Sequence, residues 1–208
     1  MEINSLEQLR AHYPPAQGRS LSKQLDHLDP HCIAFIGLSP FVVLATGGTG
    51  GQLDASPRGG APGFVHVLDA HTLLLPDAKG NNRLDSFSNI AETGRAGLLF
   101  MIPGVDETLR VNGEASLSDD PALLAHFAAE RNPPRLVMRL RVAEAYLHCA
   151  KALMRARLWD STAQVERCVL PTMGQMIAEQ TGGGGPQETQ AQMVARYAAS
   201  SGWRAQSE

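Results

Sequence analysis

Cysteine and aromatic residues are scarce in this sequence, which holds three cysteines among 208 residues and is 5% aromatic. Cys32, Cys149 and Cys168 are far apart and odd in number, which argues against a disulfide framework and favours a reducing compartment. No run of about 18 apolar residues is present, so the sequence predicts no membrane span. Residues 1–10 lack the continuous apolar stretch of a signal peptide. We therefore expect a soluble, cytoplasmic protein without a membrane partner.

A strong excess of one charge is also missing. The chain has 18 basic and 21 acidic residues, a net charge of -3, which argues against a broad nucleic-acid surface. A pocket for a single phosphate is still compatible with this balance. The hydrophobic fraction of 43% and the charged fraction of 19% are typical of a globular protein with a buried core. The length suits one domain with appendages.

Short strand patterns dominate the middle of the chain. Apolar and β-branched runs predict strands over 33–44, 52–56, 63–68, 72–75, 96–102, 108–117 and 135–147. Leu84, Phe87 and Ile90 recur every three residues and predict a helix over 81–93, with Asn81 or Asn82 as its cap. Further helices are expected over 6–12, 22–28, 121–130, 150–159, 172–180 and 188–200, with a flexible glycine-rich break at 181–186.

These elements predict a mainly β fold, an antiparallel β-barrel with flanking helices. The chain divides into a helical leader over residues 1–30, a barrel domain over 31–160 and a helical extension over 161–208.

Several kinds of site are excluded by spacing. Residues 47–51 are rich in glycine, but no Gly-Lys-Ser/Thr follows, so we interpret them as a turn and not a phosphate loop. Ser56 is followed by a proline and no helix, which argues against a nucleophile elbow. The adjacent pairs 31–32 and 148–149 would point to opposite faces of a strand, so no metal site is predicted. The sequence therefore identifies no catalytic residue.

Anion binding is the signal that remains. Arg58 stands at the end of a predicted strand, beside Gly59 and Gly60, whose backbone amides are easy to approach. Asn82 and Arg83 stand at the start of a predicted helix, where free amides and the helix dipole favour a phosphate. An isolated surface arginine is the simpler interpretation of Arg58 alone. Two such elements in one small barrel favour a shared phosphate site.

Three segments together resemble a known family. Residues 54–60, 80–86 and 109–113 resemble successive blocks of the pyridoxamine 5′-phosphate oxidase-like, FMN-binding split barrels, a likeness that covers about residues 30–160. The resemblance implies a split barrel that holds FMN at a homodimer interface and acts as an FMN-dependent oxidoreductase on an unidentified small molecule. The alternative is a flavin or haem carrier without catalysis, and a more distant one is a deazaflavin-using reductase.

The resemblance also implies the flavin contacts. By position they fall on Ser56, Pro57, Arg58, Gly59, Gly60, Leu75, Pro76, Asn82, Arg83 and Thr108. His148, Lys151, Arg155 and Trp159 recur at spacings of three or four, so in a helix they would share a face able to close over the flavin. A solvated basic face with the tryptophan packed beneath it is the alternative.

Two departures from the family bear on the substrate. The family's true oxidases carry a lysine where this chain has Ala61, and they end in Arg-Leu-x-Pro where this chain ends Gly202-Trp203-Arg204-Ala205. Residues 145–159 instead resemble a less characterised FMN-dependent branch. We therefore expect that pyridoxamine 5′-phosphate is not the substrate.

Overall fold

One antiparallel sheet forms the centre of the protein, in a computed structural model that describes residues 2–78, 80–183 and 188–201. In this part of the chain seven strands pair in the order β2-β1-β5-β6-β7-β4-β3. The strands are β1 (Phe41–Gly47), β2 (Leu53–Gly59), β3 (His66–Asp69), β4 (Thr72–Pro76), β5 (Arg95–Ile102), β6 (Val105–Ser118) and β7 (Val137–His148). The mainly β, antiparallel prediction is confirmed, whereas closure into a barrel stays a prediction.

Helices precede, interrupt and follow these strands in the described part of the chain. The α-helices are α1 (Leu6–Arg10), α2 (Arg19–Ser22), α3 (Pro30–Leu38), α4 (Asp85–Thr93), α5 (Pro121–Leu124), α6 (Lys151–Ala156), α7 (Met173–Gln180) and α8 (Gln190–Ser201). Short 3-10 turns lie at Ala125–Phe127, Ser161–Ala163 and Arg167–Val169. Among the residues described, no helix has the length and apolarity needed to cross a bilayer.

The core lies between one face of the sheet and helices α3 and α4. Val42 and Leu44 on β1, with Leu109 on β6, are fully buried because alternate residues of a strand face the same side. Ile36 of α3 and Phe87 of α4 join the same cluster. Since this cluster takes side chains from five of the strands, the sheet curves around it.

Residues 33–44 are the largest correction to the predicted elements. They were expected to form one strand, but helix α3 occupies Pro30–Leu38 and β1 begins only at Phe41. Asp29 caps the helix by accepting a hydrogen bond from the Cys32 amide at 2.7 Å, and Pro30 stands at the first helical position, where no amide is needed. The capping aspartate and the proline therefore outweigh the β-branched composition.

The helix expected over 22–28 is also wrong. Helix α2 ends at Ser22, and Leu25 instead forms an isolated antiparallel bridge with Ala145 of β7. The Leu25 amide donates to the Ala145 carbonyl at 2.9 Å, and the Ala145 amide returns a bond of 2.8 Å. The segment thus covers part of an edge of β7 that β4 leaves unpaired.

The helix expected over 150–159 is shorter than predicted. His148 belongs to β7, α6 covers only Lys151–Ala156, and Arg157 ends it with a left-handed φ of 52°. The predicted single helical face of His148, Lys151, Arg155 and Trp159 is therefore wrong. The helix over 172–180 is confirmed, with Thr172 closing a capping box. The predicted break at 181–186 lies partly outside the described residues, as does the ending at 202–205.

Candidate functional site

Arg58 lies on the core side of β2, facing helix α4. In the β1–β2 register it pairs with Val42, a fully buried core residue. Its Nη2 donates to the Ser86 hydroxyl at 3.3 Å, and its guanidinium lies 5.5 Å from the centre of the Phe87 ring. The Nε atom is buried and has no hydrogen-bond partner among the described residues. An unsatisfied buried donor costs about 1–3 kcal/mol, so this N–H favours an acceptor from outside the chain.

Two carboxylates surround this arginine. The Ser86 hydroxyl donates to Asp54 on the same strand as Arg58. Burial raises the pKa of Asp77, which follows β4, and the nearby positive charge of Arg58 opposes that rise. We call Asp54, Arg58, Asp77, Ser86 and Phe87 the Arg58 cluster. It joins strand β2, the exit of β4 and the first turn of α4.

The start of α4 differs from the prediction. Neither Asn81 nor Asn82 caps it, because the helix begins at Asp85 and its N-cap residue is Leu84, which makes no side-chain capping bond. Asn82 and Leu84 both have a φ of 59°, in the left-handed region that a leucine rarely adopts. The unusual backbone leaves the first-turn amides of a nine-residue helix without a side-chain cap, which suits an anion.

Arg83 lies just before this helix and is exposed. Its Nε donates to Asp85 Oδ2 at 2.7 Å, and its amide donates to Asn81 Oδ1 at 3.1 Å. The hydrogen bond to Asp85 raises the pKa of Arg83, and the more distant Asp54 adds to the rise. Arg83 thus has a carboxylate partner that an incoming anion would replace.

The other residues predicted on β2 divide between the two faces of the strand. Ser56 lies on the same side as Arg58, whereas Pro57 and Gly59 alternate to the opposite side. Gly60 follows the strand beside Phe64, where an added Cβ would lie only 2.7 Å from the Phe64 Cβ. These five consecutive positions therefore cannot all present side chains to one ligand.

Leu75 and Pro76 end β4, which lies near the edge of the sheet opposite β2 in the strand order. Leu75 is 1% exposed and belongs to the core, so only its backbone is available to a ligand. The pairing of β4 with β3 runs from Thr72 to Leu74, which leaves the far edge of Leu75 and Pro76 unpaired by that strand. A flavin contact at Leu75 and Pro76 through backbone groups stays a prediction.

Thr108, Lys151 and Trp159 come from strand β6, helix α6 and the segment that follows α6. Thr108 pairs with His148 and precedes the core residue Leu109, so it lies on the face opposite the core. The Trp159 indole N–H donates to the Val105 carbonyl of the same strand at 2.9 Å. Lys151 is exposed at the start of α6. We call Thr108, Lys151 and Trp159 the Trp159 group.

A basic and aromatic cluster beside this group was missed by the sequence reasoning. Arg110 Nη1 donates to the Tyr146 hydroxyl at 2.7 Å, and Lys23 Nζ lies 5.2 Å from the centre of the Tyr146 ring. Burial lowers the pKa of His148, and the charges of Arg110 and Lys23 lower it further. The β6–β7 register that pairs Arg110 with Tyr146 could have suggested part of this cluster, but Lys23 comes from a distant segment.

Fold and site together define an antiparallel β protein with a half-buried arginine beside an uncapped helix start. The chain belongs to the pyridoxamine 5′-phosphate oxidase family, whose sequence profile matches residues 28–149, more than half of the 208 residues. The family assignment made from the three segments is therefore confirmed. No curated protein matches the chain in sequence.

The chain is similar to several solved structures. A variant of HupZ from Group A Streptococcus is 15% identical with a TM-score of 0.50, the match covering 58% of this chain and 99% of that one. A Lactobacillus delbrueckii protein provisionally assigned as a pyridoxamine 5′-phosphate oxidase is 21% identical, with a TM-score of 0.47 and coverage of 60% and 98%. The FAD-binding protein of Mycobacterium smegmatis is 16% identical, with a TM-score of 0.42 and coverage of 60% and 97%. At these identities the first match supports the fold alone.

Proposed function

We propose that this protein binds FMN and acts as an FMN-dependent oxidoreductase on a small molecule. The observation that carries the proposal is the buried, unpaired Nε of Arg58 beside the uncapped first turn of α4. A phosphate monoester would accept hydrogen bonds from both, because it presents three oxygens and close to two negative charges at neutral pH. Family membership supports the same choice of ligand.

The residues around Arg58 fit the phosphate end of such a ligand. Arg58 would bind the phosphate from the sheet side and Arg83 from the loop, once Arg83 exchanges its bond to Asp85 for one to phosphate. The unpaired backbone edge of Leu75 and Pro76 would hold the polar rim of the flavin ring. Bound FMN would supply hydride and single-electron chemistry, so the protein needs only to bind, orient and shield it.

A homodimer is part of the proposal. Arg58 lies on the core face of the sheet and Thr108 on the opposite face, so one chain does not direct both side chains at one ligand. If the Arg58 cluster of one copy met the Trp159 group of a second copy, both sets would contact the same flavin. Each dimer would then hold two equivalent sites.

The direct test is reconstitution with FMN. We expect a yellow protein with about one FMN per chain, since the arginines and the uncapped helix are present in every copy. Arg58→Ala should weaken FMN about tenfold or more while changing riboflavin little, because only FMN carries a phosphate. Arg131→Ala, which removes an exposed arginine between α5 and β7, is the matched control.

Enzymatic action has its own measurement. Anaerobic addition of NADH or NADPH should bleach the bound flavin if the protein is an oxidoreductase supplied by a pyridine nucleotide. Well-folded protein that stays colourless after incubation with excess FMN would contradict flavin binding. Loaded protein that no nicotinamide, ascorbate or thiol reductant bleaches would contradict the oxidoreductase assignment and favour a carrier.

A further inference from the structure

A groove of about 560 Å³ opens on the face of the sheet that points away from the core. Its charged lining consists of Arg95 on β5, Glu114 on β6, and Arg139 and Arg141 on β7. All four residues are exposed, and their strand neighbours Ala96, Ala115, Leu140 and Val142 are buried in the core. Because successive strand residues alternate faces, this groove and Arg58 lie on opposite sides of the sheet.

The strand register sets the spacing of these charges. Arg95 pairs with Glu114, which pairs in turn with Arg141, so the three stand in one row across three strands. Strands lie about 4.8 Å apart, which separates the two arginines of the row by about 10 Å at their Cα atoms. Arg139 stands two residues from Arg141, about 7 Å along β7. Arginine side chains can span such distances, so the three guanidinium groups can converge on one ligand.

The groove carries a net positive charge, whereas the whole chain carries a net negative charge. Three arginines face one glutamate, while the protein carries a net charge of -3. Within the residues that the structure describes, none of the three guanidinium groups makes a side-chain hydrogen bond or an ion pair. Helix α4 ends at Thr93 beside the groove, and Arg95 offsets the partial negative charge there. Arg139 and Arg141 are therefore the main anion-binding groups, and Arg95 lies in the same groove.

We infer that this groove binds a small molecule bearing a diphosphate or two neighbouring phosphates. Its volume lies in the range of small-ligand sites, and its unpaired guanidinium groups match the planar, two-pronged bonding that arginine offers to phosphate. The Ser116 hydroxyl, which also lines the groove, would add a neutral donor next to Arg139. The site is separate from the proposed flavin site and does not depend on it.

Inorganic pyrophosphate is the probe for this site, measured by calorimetric titration of the full chain at low salt. We expect saturable binding that weakens as salt is raised. Arg139→Gln and Arg141→Gln should each weaken it about fivefold or more, and the double variant should abolish it. Glu114→Gln should strengthen it about threefold, because it removes the one opposing charge.

Control variants and measurements test whether pyrophosphate binds in this groove and nowhere else on the chain. Arg131→Gln should leave pyrophosphate binding unchanged, and far-UV circular dichroism should show that each variant folds. Arg58→Gln should also leave it unchanged; if Arg58→Gln abolishes binding and the groove variants do not, pyrophosphate occupies the proposed flavin site and the inference is wrong. The oligomeric state of Arg139→Gln and Arg141→Gln is also measured. If these variants are monomers and still bind pyrophosphate, the groove is a contact between copies and the inference is wrong.

Discussion

Arg58 and Ser86 meet between strand β2 and helix α4, with 3.3 Å between Nη2 of the arginine and the serine hydroxyl oxygen. The same hydroxyl donates its single hydrogen to Asp54, so it can only accept from Arg58. The chain of bonds from Arg58 through Ser86 to Asp54 fixes the guanidinium on one side. Its buried Nε is then left without a partner among the described residues, which is why this position suits an external anion.

Substitutions of Arg83 and Asp85 should change FMN affinity in opposite directions. Arg83→Ala should weaken FMN about tenfold or more and riboflavin hardly at all, because it removes a charged donor to the phosphate. Asp85→Asn should leave FMN binding unchanged or tighter, since Arg83 would no longer be held by a carboxylate 2.7 Å away. Fluorescence titration of both ligands measures the two effects. Equal weakening of FMN and riboflavin by Arg83→Ala would mean that Arg83 has only a structural role.

A site shared between two copies predicts complementation. Arg58→Ala and Trp159→Ala should each lose FMN when expressed alone. Co-expressed, they should recover it in mixed dimers, because one of the two sites then has both residues intact. Arg58→Ala with Arg83→Ala is the control pair, and every site of that mixed dimer keeps one defect. Mixed dimers are purified through two tags, and absorbance measures their FMN content per chain. No recovery of FMN in the first pair would place the whole site in one chain.

Glycine at 113 is predicted to be essential to the fold. A Cβ there would lie within van der Waals overlap of the Arg141 carbonyl of the neighbouring strand, beside a β-bulge in the β6–β7 pairing. Gly113→Ala should therefore destabilise the protein by about 3 kcal/mol or more, or prevent folding. Gly37→Ala is the matched control: a Cβ there meets no atom within 4 Å, and alanine suits helix α3 better by up to about 1 kcal/mol. Urea denaturation measures both.

The sequence predicted most strands because their alternating or continuous apolar runs match their burial, as in β5 and β6. It also predicted α7, whose cap is local in sequence. Residues 30–38 were misinterpreted because composition was weighted above the signal of Asp29 and Pro30. That signal was present and would have corrected the prediction.

The site was predictable only in part. Glycine-rich and helix-start patterns predicted Arg58 and Arg83 as phosphate-binding residues, and that role stays a prediction. Contacts such as Ser86 with Asp54 depend on the packing of α4 against β2, and sequence spacing does not report such packing. The left-handed φ of Leu84 is disfavoured for leucine, so no local rule would have placed the helix start at Asp85.

Burial of the Cys32 thiol should make the free energy of unfolding depend on pH in the alkaline range. Burial raises the pKa of its thiol to about 11, with the Asp29 carboxylate adding to the rise. The folded state thus keeps the proton up to about that pH, whereas the unfolded thiol ionises from about pH 8.5. Stability from this group is full below the unfolded pKa and is lost as pH rises from about 9 to 11, by about 2–3 kcal/mol.

The measurement compares the free energy of unfolding of wild type and Cys32→Ala across this range. The wild type should lose more stability than the variant between pH 9 and 11. Parallel curves of unfolding free energy against pH would contradict the raised pKa of Cys32.

In a second measurement at pH 8, a thiol reagent should label the exposed Cys149 and Cys168 in the native protein. Cys32 should react only after denaturation.

The last prediction is that the protein forms no pyridoxal phosphate, although its family is named for that reaction. Ala61 follows β2 and is exposed, and its methyl group cannot supply the cation that the resemblance places there. The FMN-loaded protein, first shown to bleach with dithionite, is incubated with pyridoxamine phosphate and oxygen, and pyridoxal phosphate and hydrogen peroxide are measured beside an authentic oxidase. We expect neither product above background. Turnover of about 1 per second or faster would restore the family's named reaction and show that the missing lysine is replaced by another residue.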